Sequence, residues 1–170
     1  MSDLLVNRVA KSGLITLNLE DFYPQEEFVN FDLKDYLFME MILKEKDFRA
    51  ALKEYDWDQL EGKILLITNS SDAIVPMWSY MLIASYAAGI VKDSFVGTQK
   101  EYLAHYYAQF INSMSVKEYQ EKMLVIKGCS NKPVPEEAYQ ALTKKLVPVA
   151  KSIMFGEPCS TVPIYKMKKK

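Results

Sequence analysis

With 170 residues, 49% of them hydrophobic and only 6 glycines and 7 prolines, the chain can bury a continuous core, which excludes a disordered or low-complexity polypeptide. Its 21 basic and 22 acidic side chains leave a formal charge of -1, so no global field draws in nucleic acid or an anionic membrane surface. No apolar run approaches the ~18 residues of a membrane span, and the opening MSDLLVNRVAKSG lacks the basic and long apolar regions of a secretory leader. A cytoplasmic protein is therefore expected, with its two cysteines held as thiols.

The first strand is expected at Gly13–Leu19, GLITLNL. Glu20 and Asp21 follow it at a turn or cap. From Asp32 to about Tyr55 the apolar residues Leu33, Tyr36, Leu37, Met41, Phe48 and Leu52 carry helical spacing, with a break near Leu43–Asp47. Glu54–Gly62 reads as a connector containing Trp57, a packing anchor like Trp78. A second strand, Lys63–Thr68, precedes a helix at Met77–Ala88, which starts after Pro76 and stops before Gly89. A third strand at Ser94–Gly97 leads into a helix at Thr98–Met114, where Thr98 and Glu101 have capping-box spacing. The strand at Lys122–Gly128 is followed by a helix from Glu136 to about Val149, with Tyr139, Leu142, Leu146 and Val149 on one face and Pro148 ending or bending it. Ser152–Gly156 is the last strand expected.

Most of these strands are continuous apolar runs, which suit strands covered on both faces. Their alternation with helices predicts an α/β protein: a single three-layer domain over residues 1–170, with a mostly parallel, Rossmann-like sheet flanked by helices. Residues 1–12 and the lysine-rich 166–170 are expected to be flexible tails.

Two segments echo each other. In ITNSSDAIVP (Ile67–Pro76) and IKGCSNKPVP (Ile126–Pro135), Ile67, Ser71, Val75 and Pro76 match Ile126, Ser130, Val134 and Pro135. Asp72 stands opposite Asn131, and Ser70 opposite Cys129. A shortened version, CSTVP, follows the last strand with Cys159 and Ser160. The reading is of two solutions to one local geometry. In an open parallel sheet the loops leaving the carboxyl ends of strands share one edge, where ligands bind. Ser70, Asp72, Cys129, Ser130, Cys159 and Ser160 are then expected on that edge, with backbone N–H groups at two helix N-termini.

Three chemistries fit. Cys129 and Cys159 as thiolates, with Asp72 or Glu157 as an oxygen donor, form a mixed set that suits an iron or zinc ion. Alternatively, a helix N-terminus with Lys127 and Lys132 nearby activates Cys129 as a nucleophile, Cys159 acting as the resolving thiol of a transferase or redox enzyme. A third arrangement holds a small anion on Ser70, Ser71, Ser130 and Ser160. His105, the single histidine, shares a helical face with Glu101, Gln109 and Asn112 and is expected at the surface, so no Ser-His-Asp triad can be assembled. The aromatics Tyr102, Tyr106, Tyr107 and Phe110 spread too far around their helix for one stripe; most are expected in the core, a surplus forming a homodimer surface of a non-catalytic interaction protein.

The segments SGLITLNLEDFYP, FDLKDYLFMEMILKEKDFR, SDAIVP, IKGCSNKPVP and SIMFGEPCSTVPIYK resemble the domain of unknown function 2480 family across nearly the whole chain. The resemblance implies a small cytoplasmic bacterial protein and, through gene neighbourhood, a link to iron–sulfur cluster assembly. It implies no catalytic residues. The leading expectation is a protein that binds iron or zinc through Cys129 and Cys159, with Asp72 and Glu157.

Overall fold

A computed structural model describes residues 13–127, 131–157 and 160–168. In chain order its elements are β1 (Leu14–Leu17), β2 (Phe28–Asp32), α1 (Glu45–Glu54), β3 (Ile64–Thr68), α2 (Met77–Ala87), β4 (Asp93–Val96), α3 (Gln99–Ser113), β5 (Met123–Ile126), α4 (Glu136–Leu146), β6 (Ser152–Glu157) and β7 (Ser160–Lys166). The α/β character is as expected, but the strands form two sheets instead of one. One has the order β1-β5-β6-β7, and the other β2-β3-β4. Every pairing is parallel except β6 with β7.

The chain divides into two compact units. Unit 1 is the chain up to Pro24 together with the chain from Leu103 onward, and unit 2 is Gln25–Tyr102. Unit 2 is thus an insertion in the sequence of unit 1. In unit 2, β3 is buried along Ile64–Ile67, and Leu65 and Ile67 pack with Phe31, Phe48, Leu52 and Ile83 in one apolar cluster. The Trp57 ring stacks with Phe31 and Tyr86 at 6.1 and 5.5 Å, and its indole N–H donates to the Leu52 carbonyl at 2.7 Å. In unit 1 the buried side chains include Leu17, Tyr107, Ile111, Leu124, Leu142 and Ile153.

The two units repeat one wiring plan. The Gly62 N–H donates to Ile90, and the Lys92 N–H to Lys63; the Glu121 N–H donates to Val149, and the Lys151 N–H to Lys122. From 62 to 121 and from 92 to 151 the shift is the same 59 positions. It also relates the sheet registers Ile64↔Asp93 and Met123↔Ser152. The 3₁₀ turns Asp58–Leu60 and Lys117–Tyr119 obey it, as do the helices α2 and α4 and the core residues Phe48 and Tyr107. Gly97 and Gly156 are likewise paired, both with left-handed φ values of 140° and 123°. The echo between the two Val-Pro loops is therefore one stretch of a correspondence running through both units.

Two strands escape the periodicity reading, and one expected helix is shorter. Asp32–Lys44 is not α-helical: the Asp32 side chain accepts from the Lys34 N–H and starts a single 3₁₀ turn at Leu33–Tyr36. The chain then reverses at Met39 and Glu40, both with positive φ, so that the Phe38 N–H meets the Ile42 carbonyl at 2.8 Å. Helix begins only at Glu45. β2 occupies Phe28–Asp32, and β7 carries Pro163 on the edge of its sheet, where a missing N–H is tolerated. β7 continues to Lys166, and the Met167 N–H donates to Lys151, so the sheet reaches into the segment expected as a tail.

Candidate functional site

In unit 1 the parallel strands β1, β5 and β6 bring their carboxyl ends to one edge, with Leu17 level with Ile126 and Ile126 level with Phe155. The Lys127 N–H extends the ladder to the Leu17 carbonyl at 2.8 Å. After β1, Asn18 turns the chain: its side chain accepts from the Glu20 N–H and donates to Asp21 at 3.0 Å, closing the 3₁₀ turn Leu19–Phe22. Glu20 therefore does sit at a capped turn. Its carboxylate also reaches the loop after β5, where Oε1 accepts from the Asn131 N–H at 2.6 Å. Lys127 Nζ lies 3.8 Å from Glu157 Oε1, linking the ends of β5 and β6, and Lys132 Nζ stands 5.2 Å above the Tyr23 ring.

Cys129, Ser130 and Cys159 lie outside the described residues. The described neighbours are Lys127 and Asn131 on either side of Cys129, and Glu157 and Ser160 on either side of Cys159. Glu157 and Ser160 face each other as the last β6–β7 pair. Against the same strand ends lies an apolar pocket of about 410 Å³, lined by Ile126, Tyr139, Thr143, Lys144, Phe155 and Ile164.

The corresponding edge in unit 2 holds Ser70, Ser71 and Asp72. These residues leave β3, which belongs to the three-stranded sheet, so they do not share a sheet edge with β5 and β6. The single edge expected for all three loops is replaced by two. The unit 2 loop uses its donors internally. The Ser70 N–H donates to Asp32 Oδ1 at 3.0 Å, the Ser71 hydroxyl to Asn69 Oδ1 at 2.6 Å, and the Ala73 N–H to the Ser71 hydroxyl at 3.2 Å. Burial pushes the Asp32 carboxyl up, but the Ser70 hydroxyl and amide, the Lys34 amide and the Lys34 charge outweigh it and hold it below its ordinary value. The Ser70 N–H, which an anion would need, is thus taken by a carboxylate of the protein itself. Asp72 is exposed and, with Ser70 and Ser71, lines an open depression of about 680 Å³.

Among the described residues, no cluster of three or more His, Cys, Asp or Glu is placed to hold a metal ion, and no helix is long and apolar enough to cross a membrane. A family model described as "Protein of unknown function (DUF2480)" matches residues 3–167. The chain belongs to the DUF2480 family. No curated protein and no solved structure matches it. The DUF2480 match spans unit 1 and its insertion alike, so the family comprises both units.

Three features of this DUF2480 chain are not evident from its sequence: the Glu20–Asn131 link, the Lys127–Glu157 ion pair and the Asp32–Ser70 contact. Each joins residues from different strand ends, and the local signal was confined to an Asx residue or acid after a strand. His105 is exposed, 2.8 Å from Gln109. Of the α3 aromatics, Tyr102 and Tyr107 are buried and Phe110 packs on Phe22 with ring centroids 4.5 Å apart. Tyr106 and Phe110 are half-buried.

Proposed function

We propose that this DUF2480 protein binds a metal ion, iron or zinc, through the thiolates of Cys129 and Cys159, with the Glu157 carboxylate as oxygen donor, and serves iron–sulfur metabolism in the cytoplasm. The observation that carries the reading is the parallel pairing of β5 with β6, whose carboxyl ends lead directly into the two cysteines. Adjacent strands lie about 4.8 Å apart, so two loops leaving neighbouring ends start within the span of a shared ion. Two thiolates and a carboxylate suit zinc or iron and leave a position for solvent or a substrate. Glu157 belongs to the sheet that carries both thiols, whereas Asp72 follows a strand of the other sheet. Glu20 adds a second carboxylate at the end of β1.

Elemental analysis of protein purified without chelator or affinity-column metal tests this. One equivalent of metal in the wild type, lost in Cys129→Ser and in Cys159→Ser, supports the reading; a metal-free wild type overturns it. A second reading, thiol-dependent transfer or redox chemistry, draws on Lys127 at the end of β5, two residues before Cys129. The pH dependence of alkylation separates the two. A thiolate pKa well below the free value of about 8.5 in metal-free protein favours the nucleophile.

A further inference from the structure

Helix α2 contains no charged residue, yet its outer side is exposed: Met77 is 76% and Met81 72% accessible. A helix that is apolar all round is ordinarily covered all round. Exposed apolar side chains also occupy the preceding loop and the reversal after β2, where Ile74 is 94%, Met39 75%, Met41 70% and Ile42 58% exposed. Met39, Met41 and Ile74 line one depression, and Ile74 stands three residues before Met77, the first residue of α2, with Met81 one turn further along the helix.

The fold itself does not require this surface. Helix α4 of unit 1 occupies the same place in the shared wiring, and at the positions of Met77, Met81 and Ser85 it carries Glu136, Gln140 and Lys144, all exposed. The same scaffold thus supports an ordinary solvated face once and an apolar one once. That contrast points to a covering partner for α2.

We propose that the α2 face of unit 2 is the two-fold interface of a homodimer. The six large apolar side chains above, each more than half exposed, supply the apolar centre around which an interface is built. A stable interface needs roughly 800 Å² from each partner, and exposed patches beyond a few hundred Å² mark interaction sites. The chemistry suits a second copy. Helix α2 has no charge to repel its copy, and Ala84, exposed one turn beyond Met81, lets two α2 helices approach closely. Charges of both signs, Lys34 with Glu40 and Asp72, line the depression beside Met39, Met41 and Ile74, so that opposite charges can meet across a two-fold contact.

Light scattering coupled to gel filtration reads the outcome. The wild type is expected at twice the 19.6 kDa of one chain at micromolar concentration. The double variant Met77→Glu, Met81→Gln, which installs the residues α4 bears at those positions, is expected at the monomer mass with an unchanged circular dichroism spectrum. Ile74→Glu gives the same loss at a side chain too exposed to matter for folding. A monomeric wild type, which would leave the face to another protein or another part of the chain, overturns the proposal. So does a dimer that survives both the double variant and Ile74→Glu.

Discussion

Tyr107 is fully buried on α3, and its hydroxyl donates to the Leu19 carbonyl at 2.8 Å, tying the helix to the turn that presents Glu20. Replacing it with phenylalanine keeps the ring and removes only the donor. The fold accommodates that ring, since Phe48 occupies the corresponding place in unit 2. The loss comes from the Leu19 carbonyl, left buried without its partner, at a cost of about 2 kcal/mol. For a protein of this size, that corresponds to a fall in melting temperature of roughly 4–8 °C. The effect has a pH signature as well. Burial, followed by the neighbouring Tyr106, Tyr23, Tyr139 and Glu20, raises the phenol's pKa far above its ordinary 10.0. A group whose folded pKa is raised contributes stability that is complete below the unfolded value and is lost as pH rises through the folded one. The wild type should therefore lose stability above pH 10 in a way that Tyr107→Phe does not, and the gap between them should narrow there. Melts followed by circular dichroism from pH 7 upward measure both effects. A shift below about 1 °C at pH 7, or a gap that stays constant into alkali, would refute the reasoning.

Removing the Asp32 carboxylate by Asp32→Ala should cost about 1–2 kcal/mol, a typical loss for a capping side chain, seen as a lower urea midpoint at pH 7. Because the Asp32 pKa is held below its ordinary 3.8, its contribution is present above that value and vanishes as pH falls through the lower folded one; the two proteins should converge in strong acid. Gly156→Ala would place a Cβ 2.6 Å from the Ser160 carbonyl oxygen at a φ of 123°, and backbone cannot step aside, so a loss at the upper end of about 1–3 kcal/mol is expected. Gly97→Ala meets only the Glu101 and Phe95 side chains, at 2.8 Å, and should cost less in a parallel melt. Equal losses would show that the backbone contact is not decisive.

Long apolar runs made β3 and β5 legible, and Pro76, Pro135 and the Thr98–Glu101 capping box marked three helix starts correctly. The box closes reciprocally, the Thr98 N–H donating to Glu101 Oε2 at 2.7 Å and the Glu101 N–H to the Thr98 hydroxyl at 3.3 Å. β2 was hidden because Leu33, Tyr36 and Leu37 continue from it with helical spacing, while Asp32 stops the strand and caps a 3₁₀ turn. Pro163 concealed β7, since proline argues against a strand unless that strand lies at an edge. The division into two sheets was beyond reach for another reason. Continuous apolar strands report that both faces are covered, not which strand lies alongside. The repeat was visible only where Ile67, Ser71, Val75 and Pro76 recur as Ile126, Ser130, Val134 and Pro135, because substitutions such as Met77 against Glu136 erase it on the outer faces. For the candidate site, sequence reasoning found the strand ends flanking both cysteines; it grouped Asp72 with them because it assumed one sheet.

The insertion of residues 25–102 within the sequence of the other unit has a consequence for biosynthesis. Leu14 finds its neighbour in the sheet only when Met123 has been made, while every pairing of β2, β3 and β4 is available once Tyr102 has left the ribosome. The inserted unit can therefore condense first, as domains do during translation. β1 meanwhile waits as an open strand, one whose earlier capture by another chain would leave the outer unit unfinished.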